Sequence, residues 1–588
     1  MFIFRIINKY KKILSRHQKI RIIEMSFLMI IGGFLEMISV SLILPFMSAV
    51  MNPEETMGNK YVELVCSSLN ISSHREFLML LALLLAFVYI AKNLFLLFQF
   101  NVQNRFVYWN MLHLQNDLLQ NFLARPYEFF LYADSGELVR IVHDDTNAVF
   151  GLLLNILSLF TELVVSSLLI ITTFMAAPFI TSIIAIVLLL LLLVISIIIR
   201  PRLQKLGIVA RDSRSGTYKW LLQTIEGVKE VKVMGREDYF RSSFVRCGTK
   251  NINSARRHRI LSLTPKLLIE AISMSTMFTI IAVMIGNGTD LKVLVPMLSA
   301  VAMAAIRLLP SVNRIASSIG DIAFNEPVLD KMIENLNRYN ENKSKEHGVI
   351  SIDDSASKNK VEINSFEREI CFESVTYHYP TIQKNILDNA SMTIKRGESI
   401  GIVGGSGSGK TTTVDLMLGL LCPQEGRITV DGFDIKSDEK GWLSMIGYIP
   451  QMIYMLDDSI RSNVAFGIKE SEVDDEKVWE ALEEASLKEF VEGLPEKLDT
   501  QIGERGVRIS GGQRQRIGIA RALYKKPSIL FFDEATSALD NDTESAIMDS
   551  INGLKGKKTM IIIAHRLTTI EKCDKIFKVE EGKIIKCR

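Results

Sequence analysis

Several things are scarce in this 588-residue sequence, and each scarcity removes a class of explanation. The six cysteines, at 66, 247, 371, 422, 573 and 587, lie far apart with no CxxC pair, and the eight histidines form no cluster at metal-ligand spacing. Neither a disulfide framework nor a zinc site has support, and reduced structural thiols are expected. Net charge is also small: 68 Lys and Arg against 65 Asp and Glu leave +3, and nucleic acid is not expected as a partner. Acids are missing from the N-terminal stretch, which carries Arg5, Lys9, Lys11, Lys12, Arg16, Lys19 and Arg21. No small-residue cleavage pattern follows it, so a signal peptide does not fit. A cytosolic segment lying on the membrane surface, its cations toward anionic lipid, does.

Long apolar runs are what the first half has in abundance. Stretches able to cross a bilayer recur at roughly 22–50, 76–101, 147–176, 178–199, 260–286 and 291–316. The connections alternate in length. Ala176-Ala177-Pro178 is nearly all that joins the third and fourth, and Asn287-Gly288-Thr289-Asp290 joins the fifth and sixth. The second-to-third and fourth-to-fifth links are long and rich in Lys and Arg, which places them and the N-terminus in the cytosol. Within them, Arg105 to Leu123 and Arg211 to Gly227 have helical periodicity and read as cytosolic extensions of the spans. Breaks at Ala133–Leu138 and Glu226–Glu230 put short helices at the tips. Tyr61, Leu64, Val65 and Leu69 suggest a short outer amphipathic helix within 51–75. The expected division is a membrane domain over 1–339, a polar linker over 340–367, and a second domain over 368–588.

The second domain carries chemistry. Ser399-Ile400-Gly401-Ile402-Val403 is a strand-like run followed at once by Gly404-Gly405-Ser406-Gly407-Ser408-Gly409-Lys410-Thr411, with Thr412 next in the candidate site. Glycines let backbone N–H groups converge on phosphates, Lys410 adds a positive charge, and a helix N-terminus favours the anion. The Thr411 hydroxyl is offered to Mg²⁺. Ile529-Leu530-Phe531-Phe532-Asp533 is a buried-strand run ending in a carboxylate suited to hold Mg²⁺, and Glu534 follows as a general base for water. An α/β P-loop domain that uses ATP and Mg²⁺ is expected.

Ile509-Ser510-Gly511-Gly512-Gln513 resembles the signature sequence of ABC ATPases, with Ile509 where Leu is usual. The rest of that family's motifs follow in order. Tyr379 resembles the aromatic that stacks on adenine, Gln451 the glutamine that reaches Mg²⁺ and water, and Gly503-Glu504-Arg505-Gly506 the exporter X-loop. Ser537-Ala538-Leu539-Asp540 is similar to the D-loop, and His565 to the switch histidine. The resemblance implies ATP-driven transport with catalysis by Glu534, His565 and Gln451. Nucleotide contacts fall to Tyr379, the phosphate loop, Ser510, Gly511, Gly512, Gln513 and Asp540. Because the signature of one ABC domain closes over the phosphate loop of another, it also implies a homodimer. The membrane half resembles the all-α, six-helix transmembrane domain of the exporter fold, with Tyr132–Val142 and Thr224–Arg236 as its two coupling helices.

Cargo is read from the membrane half. Lys92, Lys266, Arg307 and Arg314 lie in or near the spans, where a cation faces a cavity or pairs with an acid. Glu36, Glu162 and Glu270 are the available acids, and Lys266 and Glu270 have the i,i+4 spacing of a helical pair. Arg307 and Arg314 share a helix face, with Pro310 between them. A cation-lined cavity suits an anionic cargo. Gly33–Ser39 and Arg307–Arg314 resemble segments of the PglK-type flippases, which implies a lipid-linked oligosaccharide moved outward across a bacterial inner membrane. Export of drugs, other lipids or peptides remains open, as does an ATP-gated channel or regulator.

Overall fold

The computed structural model describes residues 2–42, 46, 49–50, 62, 73–176, 178–286, 309–337, 363, 365–382, 384–533, 553–563 and 570–588. They form two compact units. One is Met1–Arg125 with Tyr132–Ile350, and the other is Pro126–Leu131 with Ser351–Arg588. The division at Ile350 falls inside the expected linker, most of which lies outside the described residues, as does most of the expected outer helix.

The first unit is helical. Helix α1 (Phe2–Ile13) buries Ile6 and Tyr10, spaced one turn apart, and leaves Lys11 and Lys12 exposed. Helix α2 (Arg16–Ser41) starts in a reciprocal cap: Ser15 N–H donates to Gln18 Oε1 (2.7 Å) and Gln18 N–H donates to Ser15 Oγ (3.3 Å). Then come α3 (His74–Leu123), α4 (Tyr127–Tyr132), α5 (Ser135–Arg140), α6 (Thr146–Ala176), α7 (Pro178–Glu226), α8 (Val228–Val233), α9 (Glu237–Gly286) and α10 (309–337). At 1.5 Å per residue the 50-residue α3 is about 75 Å long, far more than the ~30 Å hydrocarbon layer. The surplus matches in length the extension beyond the span that its sequence leads one to expect.

Four described helical stretches are long and apolar enough to cross a membrane: Arg16–Ser39, His74–Leu123, Ser135–Thr172 and Ala185–Glu226. The expected fifth span is part of α9, and the expected sixth lies outside the described residues until α10 begins. Short helices occur at both expected breaks. The residues grouped with the second unit, Pro126–Leu131, precede the expected Tyr132–Val142 segment. Pro126 ends α3 there, because the residue before a proline is pushed out of helical geometry.

Charged side chains pin helices that packing alone leaves free to slide. Glu326 on α10, 2% exposed, meets Arg5 (2.6 Å) and Lys9 (3.0 Å) of α1, Arg200 of α7 (3.7 Å), and the Gln204 amide. Between α5 and α6 a π-turn, Ile141–Asp145, sets buried Asp145 against Arg140 (2.7 Å) and Arg211 (3.4 Å). Gly207 lets α7 approach α10: a Cβ there would sit 2.0 Å from the Phe324 carbonyl oxygen.

The second unit holds two sheets. Strands β1 (Glu369–Tyr377), β2 (Leu387–Lys395), β4 (Glu425–Val430) and β5 (Phe433–Asp434) form an antiparallel sheet ordered β2-β1-β4-β5. The other sheet is ordered β10-β9-β3-β8-β7-β6, from β3 (Ser399–Val403), β6 (Ile446–Ile449), β7 (Ile529–Asp533), β8 (Thr559–Ile563), β9 (Lys575–Glu580) and β10 (Lys583–Lys586). All neighbours in it are parallel except β9 and β10. β7 and β8 are buried throughout, which is why they read as unbroken apolar runs. Ile363 and Phe366 are buried in the same core, so its packing begins just before β1.

Candidate functional site

Register places the chemistry at one sheet edge. Ile402 pairs with Ile563, Ile563 with Asp533, and Phe532 with Ile449, so β3, β8, β7 and β6 finish side by side. Open parallel sheets bind ligands outside these carboxyl ends. From this edge leave the glycine loop after β3, Asp533 at the end of β7, and Gln451 two residues beyond β6. Gln451 is exposed. Glu534, Asp540 and His565 lie outside the described residues, though β7 ends immediately before the first of them and β8 ends two residues before the last.

The loop itself is built on left-handed backbone. Gly407 has φ +76° and Gly409 φ +104°, and a Cβ on Gly409 would come within 2.8 Å of Ile386. Gly409 caps helix α11 (Lys410–Met417). Lys410 folds back into the loop, its Nζ donating to the carbonyls of Gly404 (3.1 Å) and Gly405 (3.0 Å), and is only 6% exposed. An ammonium has three donors, so one remains for an anion. Gly405, Ser406, Gly407 and Thr411 are exposed, and Ser408 Oγ is buried with no hydrogen-bond partner. An open cradle with a centred cation and an unused hydroxyl fits a polyphosphate.

Tyr379 is half-buried and its hydroxyl lies 3.1 Å from Thr412 Oγ1, which fixes the ring beside α11. Thr412 is therefore a support for the aromatic, set inward at 6% exposure. Asp533 is 7% exposed, and the Tyr448 hydroxyl donates to its Oδ2 (3.5 Å).

Two residues of this edge escaped the sequence reading. Asp415 carries a carboxyl pushed up to about 6 by burial and by the charge of Asp533. Tyr448 is raised by burial and by the same carboxylate. The i,i+4 spacing of Thr411 and Asp415 on one helix face was the available signal.

At the signature, Ser510 starts helix α12 (Gly511–Leu523) with a capping box. Gln513 N–H donates to Ser510 Oγ (3.2 Å), and Ser510 N–H donates to Gln513 Oε1 (2.9 Å). Accepting leaves the Ser510 O–H free to donate to an anion at this helix N-terminus. Ser510 and Gly511 are exposed and Gly512 is half-buried. Ile509 packs against the apolar core, as the usual Leu is expected to. The preceding loop is strained: Gly503, Arg505 and Gly506 all have positive φ.

The membrane cations fare differently from one another. Lys92 is buried, 3.3 Å from Glu36 and 5.0 Å from the centre of the Tyr89 ring. Arg314 pairs with Glu162 at 2.5 Å. Lys266 and Glu270 are both exposed and form no ion pair with each other among the described contacts. Arg307 lies outside the described residues.

Comparison with known proteins agrees with this arrangement. The family model described as ABC transporter matches residues 387–537, and that described as ABC transporter transmembrane region matches 22–291. The ATP-dependent lipid A-core flippase of Dechloromonas aromatica is 31% identical over 457 residues, 77% of this chain and 75% of that protein. The heterocyst differentiation ATP-binding protein HepA of Nostoc sp. is 33% identical over 367 residues, 62% of this chain; the match spans little more than half of HepA, 57%. The fold is that of a bacterial Atm1-family ABC exporter solved with ATP bound, at TM-score 0.75 and 22% identity over 97% of this chain and 95% of that one. With the family's transmembrane region and its second module joined in one polypeptide, this chain belongs to the ABC transporter family.

Proposed function

We propose that the chain is one half of an ATP-hydrolysing exporter that works as a homodimer. In this reading it moves an anionic, lipid-linked cargo of the oligosaccharide type from the cytosolic to the outer leaflet of a bacterial inner membrane. The observation that carries the ATPase is the meeting of the Gly404–Thr411 loop, Asp533 and the ends of β6 and β8 at one sheet edge. Phosphates take the Lys410 ammonium and the loop N–H groups, and Tyr379 takes the adenine. Thr411, Asp533 and Gln451 would hold Mg²⁺, which would neutralise phosphate charge. Glu534 accepts the proton of the attacking water, with His565 in the role of the switch histidine that the family resemblance gives it. Each chain has one phosphate loop and one Ser510–Gln513 signature, so two chains make two complete sites.

Support for the cargo comes from a relative named as a lipid A-core flippase and from Arg314, whose side chain is 56% exposed despite its ion pair. A guanidinium has five donors, so others remain for an anionic headgroup. One observation favours a second reading. Lys92 and Arg314 are both neutralised by acids, which suits an uncharged amphipathic cargo such as a drug, another lipid or a peptide. The deciding experiment is hydrolysis and translocation by the purified protein in liposomes, with and without lipid-linked oligosaccharide. Stimulation and movement of that lipid support the first reading; neither response rules it out and leaves the second.

A further inference from the structure

A groove of about 420 Å³ runs between α1, the start of α2 and α6. Its size is within the ~300–1,000 Å³ range of small-molecule sites. Ile7, Ile23, Leu157 and Phe160 give it an apolar wall, while Lys11 and Lys19 are the charged residues lining it. No acid pairs with either lysine among the described residues. The wall is firmly held: the Tyr10 hydroxyl donates to the Val149 carbonyl (2.5 Å), and Glu326 takes Arg5 and Lys9 of the same helix. Glu326 and Asp330 face Arg5 and Lys9, which leaves Lys11 and Lys19 as the uncompensated charges of the groove lining.

We propose that this groove is a binding site for an anionic diacyl phospholipid of the cytosolic leaflet, one acyl chain against Ile7, Ile23, Leu157 and Phe160 and the phosphate between Lys11 and Lys19. Three features fit that occupant together. The groove is apolar along its walls and cationic at its lining lysines, matching a lipid's own division. It is formed by the basic N-terminal helix and the first residues of a membrane-crossing helix, the depth at which headgroups lie. Its two unpaired cations favour an anionic headgroup over a zwitterionic one, whose own ammonium offsets the attraction. The site is separate from Lys92 and Arg314, so it does not depend on the cargo. A lipid held there wedges α1 against α2 and α6.

Native mass spectrometry of the purified full-length protein tests this, with dioleoylphosphatidylglycerol and dioleoylphosphatidylcholine added in separate samples. The wild type is expected to retain phosphatidylglycerol in preference to phosphatidylcholine. Lys11→Glu with Lys19→Glu is expected to lower that retention roughly thirty-fold, at about 1 kcal/mol per lysine near an anionic surface. Leu157→Trp, which fills the groove without changing charge, should lower retention of both lipids. Lys12→Glu, on the same helix but away from the groove lining, serves as the control for general surface charge. Equal retention of the two lipids by the wild type overturns the proposal. So does a Lys12→Glu loss as large as that of the double variant, or unchanged retention in Leu157→Trp. Basal ATP hydrolysis measured on each variant separates a folded protein that has lost lipid from one that has not folded.

Discussion

Arg314 Nε lies 2.5 Å from Glu162 Oε1, joining α10 to α6 inside the membrane unit. The two ends of this pair differ in environment: the Glu162 side chain is 11% exposed and that of Arg314 56%. The arginine is the exposed end of the pair.

Arg314→Ala is therefore expected to reduce translocation of lipid-linked oligosaccharide by ten-fold or more while basal hydrolysis stays within about two-fold of wild type. Glu162→Gln frees the guanidinium and should raise apparent affinity for the anionic lipid. Both are read from flipping and ATPase assays in the same liposomes. Unchanged flipping in both variants points to the uncharged cargo instead.

Glu534→Gln should lower hydrolysis by about 10²–10⁴-fold, the range for loss of a positioned general base. ATP should remain bound, and the stoichiometry of trapped nucleotide per dimer measures it. Normal turnover would remove Glu534 from the mechanism.

Gly409→Ala should abolish nucleotide binding. The new methyl meets Ile386 at 2.8 Å, and φ +104° is a conformation that alanine avoids. Isothermal titration with a non-hydrolysable ATP analogue gives the readout, with circular dichroism to verify folding. Ser510→Ala loses a cap worth about 1 kcal/mol. It should spare nucleotide binding by the phosphate loop and lower hydrolysis, since its hydroxyl is assigned to the partner's site.

Glu326 should govern the docking of α1. Burial by itself raises its carboxyl, but hydrogen bonds from Lys9 and Arg5 outweigh that and leave it below its usual value near 4.5. A lowered value in the folded state means that the carboxylate stabilises the fold above the unfolded value. That contribution disappears as pH falls through the folded one. α1 should stay protected from hydrogen exchange at neutral pH and loosen only under acid, below about pH 4. Glu326→Gln should loosen it at neutral pH, at a cost of about 1.5–3 kcal/mol for the lost charged hydrogen bonds. Identical exchange in the variant would show that apolar packing of Ile6 and Tyr10 suffices.

Much of the site was readable from one dimension because its parts are contiguous or periodic. The Gly404–Thr411 loop needs glycines at fixed offsets between a strand and a helix, and β7 and β8 must be apolar on both faces. The extensions of α3 and α7 past their apolar runs were legible for a similar reason, since helical periodicity continues beyond those runs. Asp415 was missed because its shift arises from burial and from the charge of Asp533, which is distant in sequence at the end of β7.

The sequence by itself determined the elements, the phosphate loop and the kind of charge in the membrane unit. Only the tertiary structure decided which charges are spoken for. Lys92 meets Glu36 on another helix, Arg314 meets Glu162, and Glu326 gathers Arg5, Lys9 and Arg200, while Lys266 is left exposed beside a Glu270 at ideal spacing. Spacing fixes neighbours within one helix. Partners across helices depend on the rotation and depth of each, which the packing of the whole bundle sets.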